Sequence, residues 1–255
     1  MTSLPAGFLK APIAHRAYHD ITAGRVENSV SAIQAAIEAG YGVEIDLQLS
    51  KDGQAMVFHD YDLGRLTGEK GPIRGRTAAE LAQITLTGGH DTIRTFSEVL
   101  ELIDGRTPLL VELKDQDGAM GANVGILERA TAEALAGYAG DVAVMSFNPN
   151  SMLQMQIHAP DVPRGLTTSA YTREDWQLLP ARTRDRLREI PDYDTVGACF
   201  ISHEAADLPR PRVTQLKQRG AHVLCWTIRS AQAEAEARKI AENVTFEGYP
   251  AAIPA

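Results

Sequence analysis

The stretch YGVEIDLQLS, residues 41–50, alternates with a period of two. Val43, Ile45, Leu47 and Leu49 fall on one face of a β-strand, and Glu44, Asp46 and Gln48 fall on the other. The spacing predicts covering helices against the apolar face and a polar, substrate-facing interior on the carboxylate face. Just upstream, NSVSAIQAAIEAG places Val30, Ile33, Ala36 and Ile37 on one helical stripe. Gly40 follows as a residue able to end that helix in the left-handed conformation.

The same unit recurs along the chain. PLLVELK precedes VGILERATAEALAGY, and VAVMSF precedes NPNSMLQMQIH. VPRGLTT leads into a polar stretch. TVGACFIS is followed by RPRVTQLKQRG, HVLCWTI by SAQAEAEARKIAE, and NVTFE comes last. With PIAH and GVEIDLQL these make eight principal strands separated by helical patterns, the signature of parallel strands with crossover helices. A chain of 255 residues suits one α/β barrel, which commonly takes ~250. The expected fold class is α/β, a TIM (β/α)8 barrel over residues 1–255 as a single domain; a doubly wound open sheet is the alternative.

Lys51-Asp52-Gly53 is a strong turn signal that returns the chain through QAMVFHD as a hairpin. Residues 61–93 carry Gly64, Gly68, Gly71, Pro72 and Gly75, then the helix-like TAAELAQI. They are too few for a core of their own, so a small insertion after the second strand, about residues 50–95, is expected as a lid or side wall. Residues 170–195 are charged and weakly periodic, and Pro180 interrupts any long helix. Trp176 there either covers the mouth or packs a peripheral helix.

Hydrophobic content of 44% and charged content of 23% are those of a soluble globular chain. The net charge of -8, from 25 basic against 33 acidic residues, disfavours a nucleic-acid surface. Arg182, Arg184, Arg186 and Arg188 are diluted by Asp185 and Glu189 and read as a solvated face. Cys199 and Cys225 sit in apolar runs and are expected as buried thiols, with no disulfide framework and no zinc cluster. The opening MTSLPAGFLKAPIAH lacks a signal peptide's basic start and continuous apolar core. No stretch approaches the ~20 apolar residues of a membrane span. A cytoplasmic location without a transmembrane segment is expected. No GxGxxG after the first strand, no GxxxxGK[ST] and no HExxH occurs.

The chemistry-bearing residues gather at strand ends. His15 and His59 bracket Glu44 and Asp46. Imidazoles exchange protons near neutral pH, and carboxylates are hard oxygen ligands suited to one divalent cation, Mg²⁺ or Ca²⁺. Glu44 and Asp46, two apart on a strand, reach one ion, and Glu112 of VELK completes the set. Glu27, before the first helix, is a further candidate ligand. Lys114 either suits the non-bridging oxygens of a phosphate or forms a structural pair with Glu112. Arg16 either presents its planar fork to a phosphoryl group or pairs with Glu27 or Glu44. Asn28 is a candidate helix cap, and Asp60 a candidate partner that orients His59. Together these residues read as a metal-assisted acid–base site for a phosphate ester.

In order from residue 12 to about 228, HRA, EN, EIDLQLSKDG, HDYDLGRLTG, ELK, SF and CWTI resemble the glycerophosphodiester phosphodiesterase family. The resemblance implies a TIM barrel that hydrolyses glycerophosphodiesters, small-molecule substrates, to sn-glycerol 3-phosphate and an alcohol, through a cyclic phosphate. It implies His15 and His59 as the catalytic pair, with Glu44, Asp46 and Glu112 around Mg²⁺ or Ca²⁺. Arg16 and Lys114 fall at phosphate positions. Glu27 and Asn28 match a pair that ligates the metal or holds a ligand, and Phe147 and Trp226 fall near the mouth or substrate. Four departures stand out: Ala17 where HRG has glycine, Ser29 where threonine is common, Arg229 where asparagine is customary, and Glu247-Gly248-Tyr249-Pro250 in place of a TDRP-like segment. Two other readings are phospholipase D-like or cyclic-phosphate-forming cleavage of a larger lipid phosphodiester, and a catalytically silent binding protein.

Overall fold

A computed structural model describes residues 2–254; Met1 and Ala255, the ends of the expected unit, lie outside it. The chain runs β1 (Ile13–Ala14), α1 (Val30–Glu38), β2 (Gly42–Leu49), β3 (Ala55–Val57), α2 (Ala78–Leu81), β4 (Arg94–Thr95) and α3 (Phe96–Ile103). It continues through β5 (Leu109–Leu113), α4 (Ile126–Leu135), β6 (Val142–Ser146), α5 (Pro149–His158), β7 (Arg164–Thr168) and α6 (Ala181–Arg188). Last come β8 (Phe200–Glu204), α7 (Pro211–Gln218), β9 (His222–Ile228), α8 (Ala231–Ala237) and β10 (Asn243–Phe246).

Strands β1, β2 and β5 to β10 pair in parallel, and β10 pairs back onto β1. That last pairing closes the sheet into an eight-stranded TIM barrel and rules out the open doubly wound alternative. Val43, Ile45, Leu47 and Leu49 of β2 share one buried cluster with Ile33 and Ala36 of α1 and with Val99, Leu100 and Ile103 of α3. The alternation in YGVEIDLQLS thus places its apolar face against helices.

The parallel register sets Glu44 beside Leu110 and Asp46 beside Glu112. Neighbouring Cβ atoms in a sheet point the same way, so interior positions become polar toward the C-terminal ends of the strands. At the other end, Ile13, Leu110, Ala143, Phe200 and Leu224 cluster with Leu4 and Phe8 from the segment before β1. An apolar plug therefore underlies a polar mouth, as the barrel architecture requires.

The excursion after β2 forms an antiparallel ladder, with β3 on β2 and β4 on β3. Its Met56, Phe58, Leu63, Leu66, Ile73, Leu81, Leu86 and Ile93 bury one another in a side cluster joined by Val26. TAAELAQI yields only the single turn α2, capped reciprocally by Thr77 and Glu80. In residues 170–195, Pro180 stands at the N-cap of α6 and starts a helix, its fixed φ already helical in kind.

Three details differ from the sequence reading. Ser29, not Asn28, caps α1 by accepting from the Ala32 N–H. The arginines of α6 are only partly a solvated face: Arg188 donates to the carbonyls of Ala170 and Tyr171 at 2.7 and 3.1 Å, tying the preceding loop to the helix. Cys199 and Cys225 are both free thiols, but only Cys225 is fully buried. Among the described residues, no helix is long and apolar enough to cross a membrane.

Gly165 of β7 shows how tightly the plug is packed. A Cβ there would lie 2.5 Å from the Phe200 ring. Gly165→Ala is expected to displace that ring and to cost about 1–3 kcal/mol, the usual toll of overpacking. Urea unfolding of the variant checks this; an unchanged midpoint would show that Phe200 has room to move.

Candidate active site

Carboxylate oxygens of Glu44, Asp46 and Glu112 lie within 4.8 Å of one another, and all three residues are buried. β2 and β5 put them there, since Asp46 and Glu112 are direct register partners. Lys114, two residues on from Glu112 and so on the same face, places Nζ 2.7 Å from Asp46 Oδ1 and 2.5 Å from Glu112 Oε1. One ammonium thus serves two of three acids. Burial, then the charges of Asp46 and Glu112, push the Glu44 carboxyl well above the ordinary range. Burial also works against Asp46, but Lys114, His59 and Arg16 overcome it and hold that carboxyl below its ordinary range. Hard oxygen donors with uncompensated negative charge make a donor set that can hold a metal ion.

The backbone around this cluster is set against its preference. Arg16, Ala17 and Asn28 have φ of 50, 66 and 59°, left-handed values that cost a side-chain-bearing residue of order 1–3 kcal/mol each. Each is held by hydrogen bonds that serve the site. The Arg16 N–H donates to Glu44 Oε2 at 2.7 Å, and the Ala17 N–H to the Glu44 carbonyl at 2.9 Å. The Asn28 N–H donates to the Arg16 carbonyl at 2.8 Å. The Asn28 side chain grips Asp46 twice, donating to Oδ2 at 2.9 Å and accepting from the Asp46 N–H at 3.1 Å. Ala17 thus keeps a backbone shape that glycine adopts freely.

Both histidines are held by carboxylates through Nδ1. His15 follows β1 and its Nδ1 lies 2.6 Å from Glu247 Oε2, just past β10. Glu247 also accepts from Arg229 Nε at 2.7 Å and lies 3.7 Å from His19 Nε2. Hydrogen bonds from His15 and His19, with Arg229 nearby, keep Glu247 far below the ordinary carboxylate range despite burial. His59 Nδ1 lies 2.6 Å from Asp60 Oδ1, and Arg65 grips Asp60 with Nε at 2.6 Å and Nη2 at 2.9 Å. Against the pull of burial, Arg65 and His59 lower Asp60 to about 2. An ionised carboxylate only accepts. Each Nδ1 therefore carries its proton, and each Nε2 is left for proton exchange. Burial, then the positive charges of Lys114 and Arg16, lower His59 below an ordinary histidine.

Arg16 and Glu27 resolve into a pair, with Nη1 2.8 Å from Glu27 Oε1. Arg65 takes both Glu27 oxygens at 2.8 Å. Glu27 is therefore saturated by guanidinium groups and stands outside the close trio of carboxylates. Phe147, at the end of β6, meets Trp226 at 5.5 Å and Trp176 at 4.9 Å between ring centroids. His59, Glu112, Lys114, Phe147 and Trp176 line one cleft of about 520 Å³, which puts Trp176 at the mouth. Reasoning from sequence missed Arg65 and the clamping role of Glu247. The signal for Glu247 was its position at the C-terminal end of a barrel strand, where such folds keep their chemistry.

Residues 15–245 match the glycerophosphoryl diester phosphodiesterase family, and the chain belongs to it. It is thereby a phosphoric diester hydrolase. The Bacillus subtilis (strain 168) protein YhdW is 23% identical over 233 residues, 88% of this chain and 89% of that one. A glycerophosphodiester phosphodiesterase of Caldanaerobacter subterraneus subsp. tengcongensis is 31% identical over 161 residues, 60% of this chain and 65% of its own. The barrel is also similar to that of an Oleispira antarctica phosphodiesterase solved with the product sn-glycerol-3-phosphate. The TM-score is 0.77 at 25% identity, covering 95% of this chain and 94% of that one.

The raised Glu44 carboxyl makes stability fall with pH in the absence of metal. The folded protein keeps a proton that the unfolded chain gives up above its ordinary carboxylate pKa, so stability is lost as pH rises beyond that point. Glu44→Gln removes the penalty. In EDTA at pH 7–8 it is expected to melt above the wild type, with the gap narrowing toward pH 4; scanning calorimetry across that range checks it.

Proposed function

We propose that this protein hydrolyses glycerophosphodiesters to sn-glycerol 3-phosphate and an alcohol. Glu44, Asp46 and Glu112 would hold one divalent cation, Mg²⁺ or Ca²⁺. The observation that carries the proposal is the buried carboxylate trio with a single ammonium, flanked by two histidines whose Nδ1 atoms are both engaged by carboxylates. Membership of the family supplies the reaction class. The Oleispira antarctica structure with bound sn-glycerol-3-phosphate supports the product.

When bound, a divalent ion neutralises charge on the phosphoryl oxygens and acidifies an oxygen nucleophile. The rest falls to the chain's own groups. Lys114, already oriented by Asp46 and Glu112, contributes a second positive charge toward the non-bridging oxygens. Arg16 is committed to Glu27 and so shapes the first loop while adding to the positive field. One histidine Nε2 takes the proton of the attacking hydroxyl, and the other, protonated, delivers one to the leaving alcohol. Their roles exchange when a cyclic phosphate is opened by water. Glu247 and Asp60 keep the two rings aimed and stabilise each imidazolium as it forms, since an adjacent carboxylate favours the charged ring. Phe147 and Trp226 wall the substrate's carbon skeleton.

His15→Ala and His59→Ala are each expected to lower kcat by about 10² to 10⁴, the usual share of general acid–base catalysis. Both should keep the rise in melting temperature that Mg²⁺ or Ca²⁺ produces in the wild type. Phosphorus NMR of the products is expected to show sn-glycerol 3-phosphate; a cyclic ester as the end product would overturn the hydrolysis, and near-native turnover in both variants would overturn the acid–base roles. Glu247→Ala is expected to fall between wild type and His15→Ala in kcat, because the ring remains but loses its orientation.

A further inference from the structure

Arg65 ends a short 3₁₀ turn, Leu63–Arg65, inside the insertion after β2. Its guanidinium joins two carboxylates that belong to different segments. Within the insertion it meets Asp60, with Nε 2.6 Å from Oδ2 and Nη2 2.9 Å from Oδ1. In the first loop it meets Glu27, with Nη1 2.8 Å from Oε2 and Nη2 2.8 Å from Oε1. Each acid is held by both oxygens, the geometry in which an arginine fixes the plane of a carboxylate. Nη2 serves the two acids at once.

Each acid has a further partner nearer the chemistry. Asp60 Oδ1 lies 2.6 Å from His59 Nδ1, and Glu27 Oε1 accepts from Arg16 Nη1 at 2.8 Å. Arg16 Nε in turn lies 3.7 Å from Asp46 Oδ2. One guanidinium therefore stands midway in a line that runs from the His59 ring to the loop carrying Arg16. Without it, Asp60 and Glu27 would face each other as like charges and repel.

Apolar packing repeats the same link. Leu63 and Leu66, on either side of Arg65, are buried in the insertion's side cluster, and so is Val26, the residue before Glu27. Asp62 accepts the Gly64 N–H at 2.8 Å and caps the turn that presents Arg65. The insertion and the first loop thus meet through an apolar contact and an ionic one, side by side. The Arg65 side chain is 47% exposed, and ion pairs so open to water add little to folding. Two bidentate grips on one such side chain serve alignment better than stability.

We infer that Arg65 is a positioning residue: through Asp60 and Glu27 it sets the His59 ring and the Arg16 loop against each other. The inference rests on the phosphodiester hydrolase reading above, and it assigns Glu27 to this aligning unit instead of to the metal. The insertion is then the carrier that brings one half of the acid–base pair into register with the first loop.

Two readouts test this. The first is NMR of ¹⁵N-histidine-labelled protein at about pH 8.5, where ordinary histidines are neutral. Wild-type His59, identified from the His59→Ala spectrum, is expected as its Nδ1–H tautomer. Arg65→Ala is expected to raise the Nε2–H share severalfold. Glu27→Ala is expected to shift it the same way, although the partners of Glu27 are arginines. Arg65→Lys keeps the charge without the planar fork and is expected to follow Arg65→Ala. All three should keep the rise in Tm that Mg²⁺ or Ca²⁺ produces in the wild type.

The second readout is kcat on sn-glycero-3-phosphocholine. Arg65→Ala is expected to lower it by about 10- to 100-fold, the scale seen when a group orienting a metal-bound histidine is removed. In a His59→Ala background the same change is expected to cost less than about twofold, because residues that act as a unit are not additive. Equal losses in the two backgrounds, an unchanged His59 spectrum in Arg65→Ala or Glu27→Ala, or full recovery in Arg65→Lys overturns the inference. A spectrum that shifts as expected in a protein that cleaves no phosphodiester would uphold the positioning and refute the proposed function.

Discussion

Three carboxylates buried around one ammonium is an arrangement that folding alone disfavours. Taking an ion out of water costs several kcal/mol even after relaxation, and a neighbouring like charge adds to it. Here the cost is met by rigid support. Two adjacent parallel strands hold Asp46 and Glu112 in register, and Lys114 sits between them. The first loop adds the Arg16 N–H to Glu44 and the Asn28 side chain to Asp46. The left-handed backbone at Arg16, Ala17 and Asn28 is the geometric condition for those two contacts. Least compensated is Glu44, whose carboxyl is pushed well above the ordinary range by burial and by Asp46 and Glu112.

The two histidines are framed alike from unrelated parts of the fold. His59 leans on Asp60, which leans on Arg65; His15 leans on Glu247, which leans on Arg229. Glu247 and Arg229 are both departures from the pattern the chain otherwise resembles, and they contact each other. A carboxylate introduced behind an imidazole would bind it too strongly if it had no other partner. An arginine on its far oxygen shares that charge. The two departures therefore meet in one ion pair behind the His15 ring.

Much of this was legible because β-sheet patterning is local. A period of two in residues 41–50 is enough to assign inside and outside of β2, and the recurrence of strand then helix is enough for a parallel α/β sheet, while the pairing of β10 with β1 decides for the closed barrel. Glu44, Asp46, Glu112 and Lys114 could be read together because each lies on such a strand or, for Lys114, one residue past its end. The clamps were harder to read. His15 and Glu247 are 232 positions apart, and Arg65 reaches Glu27 across 38; no spacing rule spans a barrel closure or an insertion. The polar stretch after β7 was opaque for another reason. Its order comes from arginines donating to loop carbonyls and from Trp176 against Phe147, contacts that leave no periodic trace.

Closure of the barrel between its first and last strands also imposes an order in time. Synthesis delivers the acidic trio, Lys114 and His59 within the first half of the chain, while Glu247 emerges only after β10. A chain that lacks β10 leaves β1 paired with β2 alone and His15 Nδ1 without its carboxylate. The setting of the His15 ring is thus bound to closure of the barrel, a contact that a strand more than two hundred residues downstream has to bring.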